Sequence, residues 1–332
     1  MFYEPYQKKK RRGPRRRVGC GAWLLGALAR LLAAALALVI VAAAVLYAAP
    51  PALFAVEPEG NDLALTDGLP AGMANVLLLG VDYLRDSAQR SDSMIIASVG
   101  YGKLRLTSVM RDAVLDIPSH GAGKLNAAYA YGGAALTMKT LNANLGLNLM
   151  RYATVDFVSL VRIVDAMGGV EVDITEAEMR EINRNVWSAR RIFRPLGYTA
   201  TELKTFGERT RLNGLQALGY ARIRKIDSDY TRTQRQRKLL NALVRRLRDN
   251  AWNPMMWVEL ARTLPDAVDT NMSLPELISL AEKALVAGDV GQQRLPVDGS
   301  FTDNGSSLKI HDMGANARAF REFVYGAESE RR

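Results

Sequence analysis

The sequence predicts an α/β domain of three layers, α-β-α, around a central mixed sheet, preceded by one amino-terminal transmembrane helix. Three observations lead there. Short runs rich in leucine and β-branched residues alternate with longer segments of helical period. A basic leader is followed by nineteen uncharged residues, Leu31–Ala49. The rest of the chain has no cysteine to staple it, since the single cysteine is Cys20, so it folds on its core alone. About 260 residues suffice for that as one domain.

The leader comes first. Lys8, Lys9, Lys10, Arg11, Arg12, Arg15, Arg16 and Arg17 precede an apolar run from Val18 to Ala49 that is broken only by Arg30. Nineteen uncharged residues span a ~30 Å hydrocarbon core, Arg30 can snorkel, and basic flanks stay inside. The expected arrangement is a basic cytoplasmic tail (1–22), a transmembrane signal-anchor (23–49), a linker (50–72) rich in proline, glycine and acids, and an extracellular domain (73–325). A cleaved signal peptide is the rival reading, although its apolar region is usually ~7–15 residues. Most of the formal charge of +10 comes from the leader: residues 1–49 hold nine of the 44 basic and one of the 34 acidic side chains, leaving 35 against 33. A nearly neutral exported part argues against a nucleic-acid partner.

The strands follow as Asn75–Asp82, Ser93–Val99 and Leu104–Val109, the first a continuous apolar run expected at the centre of a sheet. Helices are expected at Lys124–Asn144, interrupted at Gly132-Gly133, and at Asp156–Met167, Gly214–Leu218, Tyr230–Arg248, Met255–Leu264 and Leu274–Ala287. Gly168-Gly169 closes one helix into the strand Val170–Ile174. The charged stretch Asp173–Arg211 has weak periodicity and reads as an excursion near the site.

Chemistry concentrates in two places. Between Tyr220 and Lys238 lie seven basic side chains in nineteen residues. Arg222 and Arg224 are spaced at period two, which puts them on one face of a strand. Arg232 and Gln236 begin the stripe that continues as Leu240, Leu243 and Leu247, so both point inward. Asp229 is placed to cap that helix, whose positive end then lies beside the arginines. Cations converging from a strand and the start of the next helix make an anion site, most economically for phosphate; pairing with local carboxylates is the alternative for any single arginine. The second place is the pair Asp82 and Asp92, one ending a strand and the other just ahead of the next. Two such carboxylates suit Mg²⁺ and a diphosphate, or each merely caps a turn. Arg90 and Arg111 stand beside them in RSD and SVMRD. With only His120 and His311, a multi-histidine metal site is excluded and a Ser-His-Asp triad is a poor fit.

These pieces, VLLLGVD, RSDSM, SVMRD, KLNAAYAYGG, VDFVSLVRIVDAMGGVEVDI, LNGLQALGYARIRK and DSDYTRTQRQ, occur in one order across 75–247. The ordered set resembles the LytR-CpsA-Psr family of membrane-anchored cell-wall enzymes. That resemblance implies phosphotransfer of a glycopolymer, such as a teichoic acid or capsular polysaccharide, from a polyprenyl-diphosphate carrier to peptidoglycan, with Mg²⁺ as cofactor and the muramic-acid 6-hydroxyl as acceptor. It further implies metal ligation by Asp82 and Asp92 and diphosphate binding by Arg111, Arg222, Arg224, Arg232 and Gln236. Asp92 and Asp112 are the carboxylates considered for accepting the hydroxyl proton. The lipid needs an apolar cleft, which the helices around Ala127–Leu145 and Phe157–Met167 could line; ordinary core is the alternative, and the favoured one for most of those positions. Hydrolysis of the same lipid diphosphate by water, and a non-catalytic surface regulator, are the alternatives. Residues after Arg248 receive no site.

Overall fold

In the computed structural model, which describes residues 62–82, 89–224, 226 and 229–326, the apolar run after Asn75 becomes the strand β1 (Ala74–Val81). Its neighbours are β2 (Ser91–Gly100), antiparallel, and β6 (Arg151–Asp156), parallel. The sheet extends past β2 through β3 (Lys103–Val109) to β10 (Asp289–Leu295), and past β6 to the short β9 (Asp269–Thr270). β10–β3 and β1–β6 are parallel and the other pairs antiparallel, so the sheet is mixed. The expectations for 1–22, 23–49 and the first part of the linker lie outside the described residues. Among those described, no helix is long and apolar enough to cross a membrane.

Side-chain alternation sends successive strand residues to opposite faces. On one face Leu77, Leu79, Met94 and Ile96 pack with α1 (Leu125–Leu145) and with Phe320 and Val324 of α8 (Met313–Tyr325). On the other, Ile95, Ala97, Val99, Leu104 and Leu106 meet Leu240 and Val244 of α5 (Asp229–Asp249) and Ala284 of α7 (Leu274–Val286). Helices therefore cover both faces. α1 breaks at Gly132 and Gly133, the second at φ 61, as the glycine pair leads one to expect.

A second core gathers α2 (Phe157–Ala166), α3 (Glu176–Phe193) and α4 (Gly214–Ala221) around β7 (Val170–Ile174) and β8 (Gly207–Leu212). Here the sequence reading needs correction. Nearly half of the supposed excursion Asp173–Arg211 is α3, opened by a capping box in which Thr175 Oγ1 accepts from the Glu178 amide at 3.2 Å and Glu178 Oε2 accepts from the Thr175 amide at 3.0 Å. Ile182, Val186, Ala189 and Phe193 are its buried stripe, hidden in the sequence by the charges between them. Nor are Arg222 and Arg224 on a strand. Asn213 and Gln216 form another capping box, α4 winds from there to Ala221, and Arg222 is its carboxy-terminal cap.

Residues past Arg248 complete the fold: α6 (Pro254–Ala267) packs Met256 and Leu260 on Met167, and β10 closes one edge of the sheet. β4 (Ala113–Ile117), β5 (Gly121–Lys124), β11 (Phe301–Asp303) and β12 (Leu308–Ile310) form a four-stranded sheet of their own. Residues 62–72, read as the end of a linker, also lie on the fold, with Leu63 buried in the first core and the Thr66 amide bonded to the Leu147 carbonyl at 3.0 Å.

Candidate active site

One end of the main sheet gathers the carboxyl ends of β1, β3 and β6 and the start of β2, because Val81 pairs with both Ser91 and Asp156 and Val109 ends its strand opposite Leu295. Asp82 leaves β1 there. Asp92 is the second residue of β2 rather than a residue ahead of it, and the antiparallel register carries it to the same end. Both carboxylates line a cavity of about 390 Å³, together with Arg222, Arg224, Arg232 and Gln236.

Asp92 is the hub of the polar end. Its Oδ1 accepts from Arg111 Nη1 at 2.6 Å and its Oδ2 from Arg224 Nη2 at 3.1 Å, while its backbone carbonyl lies 3.4 Å from Arg232 Nη2. Burial pushes the Asp92 carboxyl up, but Arg111, Arg224 and Arg232 outweigh it and hold it below its ordinary value. Arg111 reaches Asp92 without lining the cavity; its Nε donates to Asp112 Oδ2 at 3.2 Å and lies 3.6 Å from Asp229 Oδ2. Although burial opposes it, these carboxylates hold the Arg111 guanidinium above its ordinary value. Asp112 is further held by Lys124 at 3.5 Å and does not line the cavity. Arg90 is exposed and stands outside the lining.

Arg232 differs from the others. Its side chain is 1% exposed, and Nη2 donates to Asp229 Oδ2 at 2.8 Å. Its Nε and Nη1 are buried with no hydrogen-bond partner among the described residues. Burial, then the neighbouring Arg111 and Arg224 cations, push its pKa down to about 10. A guanidinium remains charged at neutral pH, so the shift expresses the cost of keeping this cation dry beside two others. An anion in the cavity removes that cost. Asp229 opens α5, so the positive end of the helix adds to the same field.

Away from the arginines the cavity is apolar. Leu239, Leu240 and Leu243 of α5, Phe157, Leu160 and Ile163 of α2, and Leu78, Ile95, Ala153 and Val155 of the sheet line it. The stripe expected from Arg232 through Gln236 to Leu240 and Leu243 is thus present on one helix face. Leu247 instead packs with Met167, Met256 and Leu260. Of the two helices considered for the cleft, the one at Ala127–Leu145 is ordinary core, because α1 packs on the opposite face of the sheet, where Met138 and Leu141 fill the first core.

Phe157, on a helix considered for the cleft, lines it, whereas Asp156 and Asn185 line it without having been singled out in the sequence. Asp156 Oδ1 accepts from the Ser159 amide at 2.6 Å and so caps α2; an aspartate before a helical run is the signal that marks it. Phe157 offers its ring to the Arg222 guanidinium, 4.8 Å from the centroid, which steadies a cation over an aromatic face. Asn185 is fixed from α3 by donating to the Gly219 carbonyl at 2.9 Å. The arrangement can seat a bulky anion at the arginines while an apolar chain attached to it lies in the trough.

Known proteins carry related sequences. The regulatory protein MsrR of Staphylococcus aureus is 29% identical over 265 residues, 76% of this chain and 75% of its own. The polyisoprenyl-teichoic acid–peptidoglycan teichoic acid transferase TagU of Enterococcus faecalis is 32% identical over 72% of this chain and 75% of its own. Among solved structures, TagT bound to LI-WTA covers 83% of this chain and 96% of its own at TM-score 0.61 and 23% identity. YwtF (TagT) with bound octaprenyl pyrophosphate lipid covers 82% and 96% at TM-score 0.57 and 21% identity. These two share the fold. The LytR_cpsA_psr family model matches residues 58–319, and the chain belongs to that family.

Proposed function

We propose that this protein is a phosphotransferase that moves a phosphate-linked glycopolymer from a polyprenyl-diphosphate carrier to a peptidoglycan hydroxyl, releasing polyprenyl phosphate. The observation that carries the reading is the junction, within one cavity, of the Arg222, Arg224 and Arg232 cluster with a trough of leucines and Phe157. A diphosphate meets the first and a prenyl tail the second. The transferase name of TagU and the lipid named with YwtF support the same chemistry. A purely regulatory role gives no reason to bury Arg232 with two donor nitrogens unused.

In the reaction an acceptor hydroxyl attacks the sugar-proximal phosphorus and the prenyl phosphate leaves in line. Arg232 and Arg224 bind and orient the phosphates, Arg222 is steadied over Phe157, and Arg111 keeps Asp92 ionised and in place. The donor set fits a magnesium ion: among the described residues no three His, Cys, Asp or Glu side chains gather, but Mg²⁺ needs only one or two carboxylates when phosphates complete its shell. Asp82 and Asp92 would hold it, and it would neutralise charge on the phosphates. The held-down Asp92 carboxyl is a weak base, and Asp112 lies off the cavity, so neither is favoured as the proton acceptor. The leader would anchor the chain with its catalytic domain outside the membrane.

The test uses the full chain in vesicles with a polyprenyl-diphosphate-linked glycopolymer and peptidoglycan. Polymer linked to peptidoglycan through a phosphodiester is the expected product, lost in Asp82→Asn and Asp92→Asn and in chelator. Free polymer phosphate without a peptidoglycan adduct would mean hydrolysis by water in the same pocket, and would overturn the transferase.

A further inference from the structure

The polar end of the cavity lies at the carboxyl end of β1. The opposite end of the sheet holds the start of β1 and the β2–β3 turn, since Ala74 pairs with Val99 and Gly100 with Lys103. α5 runs from one end to the other: Arg232 bonds near Asp92, while Arg248 Nε donates to the Leu285 carbonyl at 2.7 Å and Nη2 to the Ala287 carbonyl at 2.7 Å. Ala287 packs with Val99 and Leu104, and the Gly288 amide bonds to the Gly102 carbonyl at 3.1 Å. The start of β6 and the end of α7 are therefore at this second end as well.

Large apolar side chains stand exposed there. Trp252, three residues past α5, is 94% exposed; Val286 is 77%, Tyr101 74% and Met255 66% exposed, and Met150, just before β6, is exposed too. α7, which lies along this end, has eight Leu, Ile, Val or Ala side chains among its thirteen residues and none of its residues is buried. A scatter of single exposed apolar residues is ordinary, whereas this set shares one end of the molecule. The cavity also turns apolar in this direction, Leu243 lying eleven residues, about 16 Å of helix, beyond Arg232.

The geometry points to this end as a membrane-docking face, in which Trp252, Met255 and Val286 enter the outer layer of a lipid bilayer. The occupant is a lipid surface for two reasons. The uncharged run Leu31–Ala49 stops about a dozen residues before Asp62, a tether of at most roughly 45 Å. The strand β1, which that tether leads into through Leu63 and Thr66, begins at the same end. Docking lets an apolar chain pass from bilayer to cavity without crossing water. Charges around the face are mixed, with Arg248 and Lys283 against Asp249, Glu282 and Asp289, so the contact rests on apolar burial and does not require anionic lipid. It stands apart from the transfer chemistry, which can proceed or fail whatever this face touches.

The test places a nitroxide on the full chain, with Cys20→Ser and either Met255→Cys or Val286→Cys, reconstituted in phosphatidylcholine vesicles at high salt. Ser306→Cys is the control, on an exposed turn three residues from Asp303, whose carboxylate bonds Tyr230 at the start of α5. Labels at 255 and 286 should be relaxed by dissolved oxygen and shielded from a water-soluble nickel complex, and the label at 306 the reverse. Equal nickel access at all three sites would overturn the docking. So would immersion seen only with anionic lipid and lost in salt, or dipolar broadening between labels on two chains, which would make a second copy the occupant. The readout is depth, so it does not depend on transfer activity.

Discussion

Arg232 and Arg235 sit three residues apart on α5, with side chains 1% and 4% exposed, yet they belong to different kinds of region. Arg235 points between layers, and its Nε donates at 2.8 Å to Glu178 Oε1, the same glutamate whose other oxygen caps α3 through Thr175. Arg232 lines the cavity with two donor nitrogens unused. Three residues along a helix leave two side chains about 60° apart around its axis, and that offset separates a guanidinium facing the packed second core from one facing an open anion site. Burial alone therefore says little about an arginine. What it is buried against says whether it holds the fold together or waits for a ligand.

The largest effect expected from that comparison falls on stability. Breaking a buried ion pair by removing one partner costs about 3–5 kcal/mol, so Arg235→Met should lower the unfolding free energy by that much in denaturant titration. Phosphate-ligand affinity of the remaining folded protein should be unchanged. Adding Glu178→Gln to Arg235→Met should restore part of the loss, because the amide keeps the capping bond and leaves no lone charge. An Arg235→Met protein as stable as the parent would break the distinction between the two arginines.

Arg232→Lys should behave in the opposite way. An ammonium keeps the charge but loses the planar fork that meets two phosphate oxygens, and losing one or two charge-assisted hydrogen bonds of about 1.5 kcal/mol each weakens a polyprenyl diphosphate about 10–100-fold. Unfolding should shift by no more than about 1 kcal/mol, since the free protein already bears the cost of the unpaired nitrogens. Binding at parental strength would remove Arg232 from the anion site. A large loss of stability with binding intact would make it a second Arg235.

The same pair of residues shows how far the sequence carries. The stripe Arg232, Gln236, Leu240, Leu243 is legible because a helix repeats every 3.6 residues and the polar pair starts an apolar face. Asp82 and Asp92 are legible because an apolar strand ends or starts beside each. Period two does not tell Arg222 and Arg224 on a strand from the same pair where a helix ends, and the Asn213–Gln216 capping box is the signal that separates the two. The cavity holds them all the same, because α4 delivers its end beside Phe157. The Arg235–Glu178 pair joins residues 57 positions apart, and no local pattern announces such a contact. The choice of sheet face is equally non-local, so α1, apolar enough for a lipid trough, proves to be ordinary core.

The smallest expected effect lies in acid and bears on Asp92, which ties Arg111 and Arg224 together beside Arg232. Its carboxyl is held below its ordinary value by those arginines against the opposing effect of burial. A carboxylate depressed in the folded state contributes stability that is complete above its unfolded value, about 3.9, and that is lost as pH falls through the lower folded value. Urea unfolding followed from about neutral pH down to about pH 3 should therefore fall off less steeply in Asp92→Asn than in the parent, with the variant already less stable at neutral pH. Once Asp92 is neutral, Arg111 and Arg224 lose the charge that offsets their repulsion of Arg232, so Arg232→Lys should show the acid slope of the parent only while Asp92 is present. Parallel curves for the parent and Asp92→Asn would mean that the arginine contacts to Asp92 do not persist in solution, and the anion site would then rest on Arg232 and the start of α5 alone.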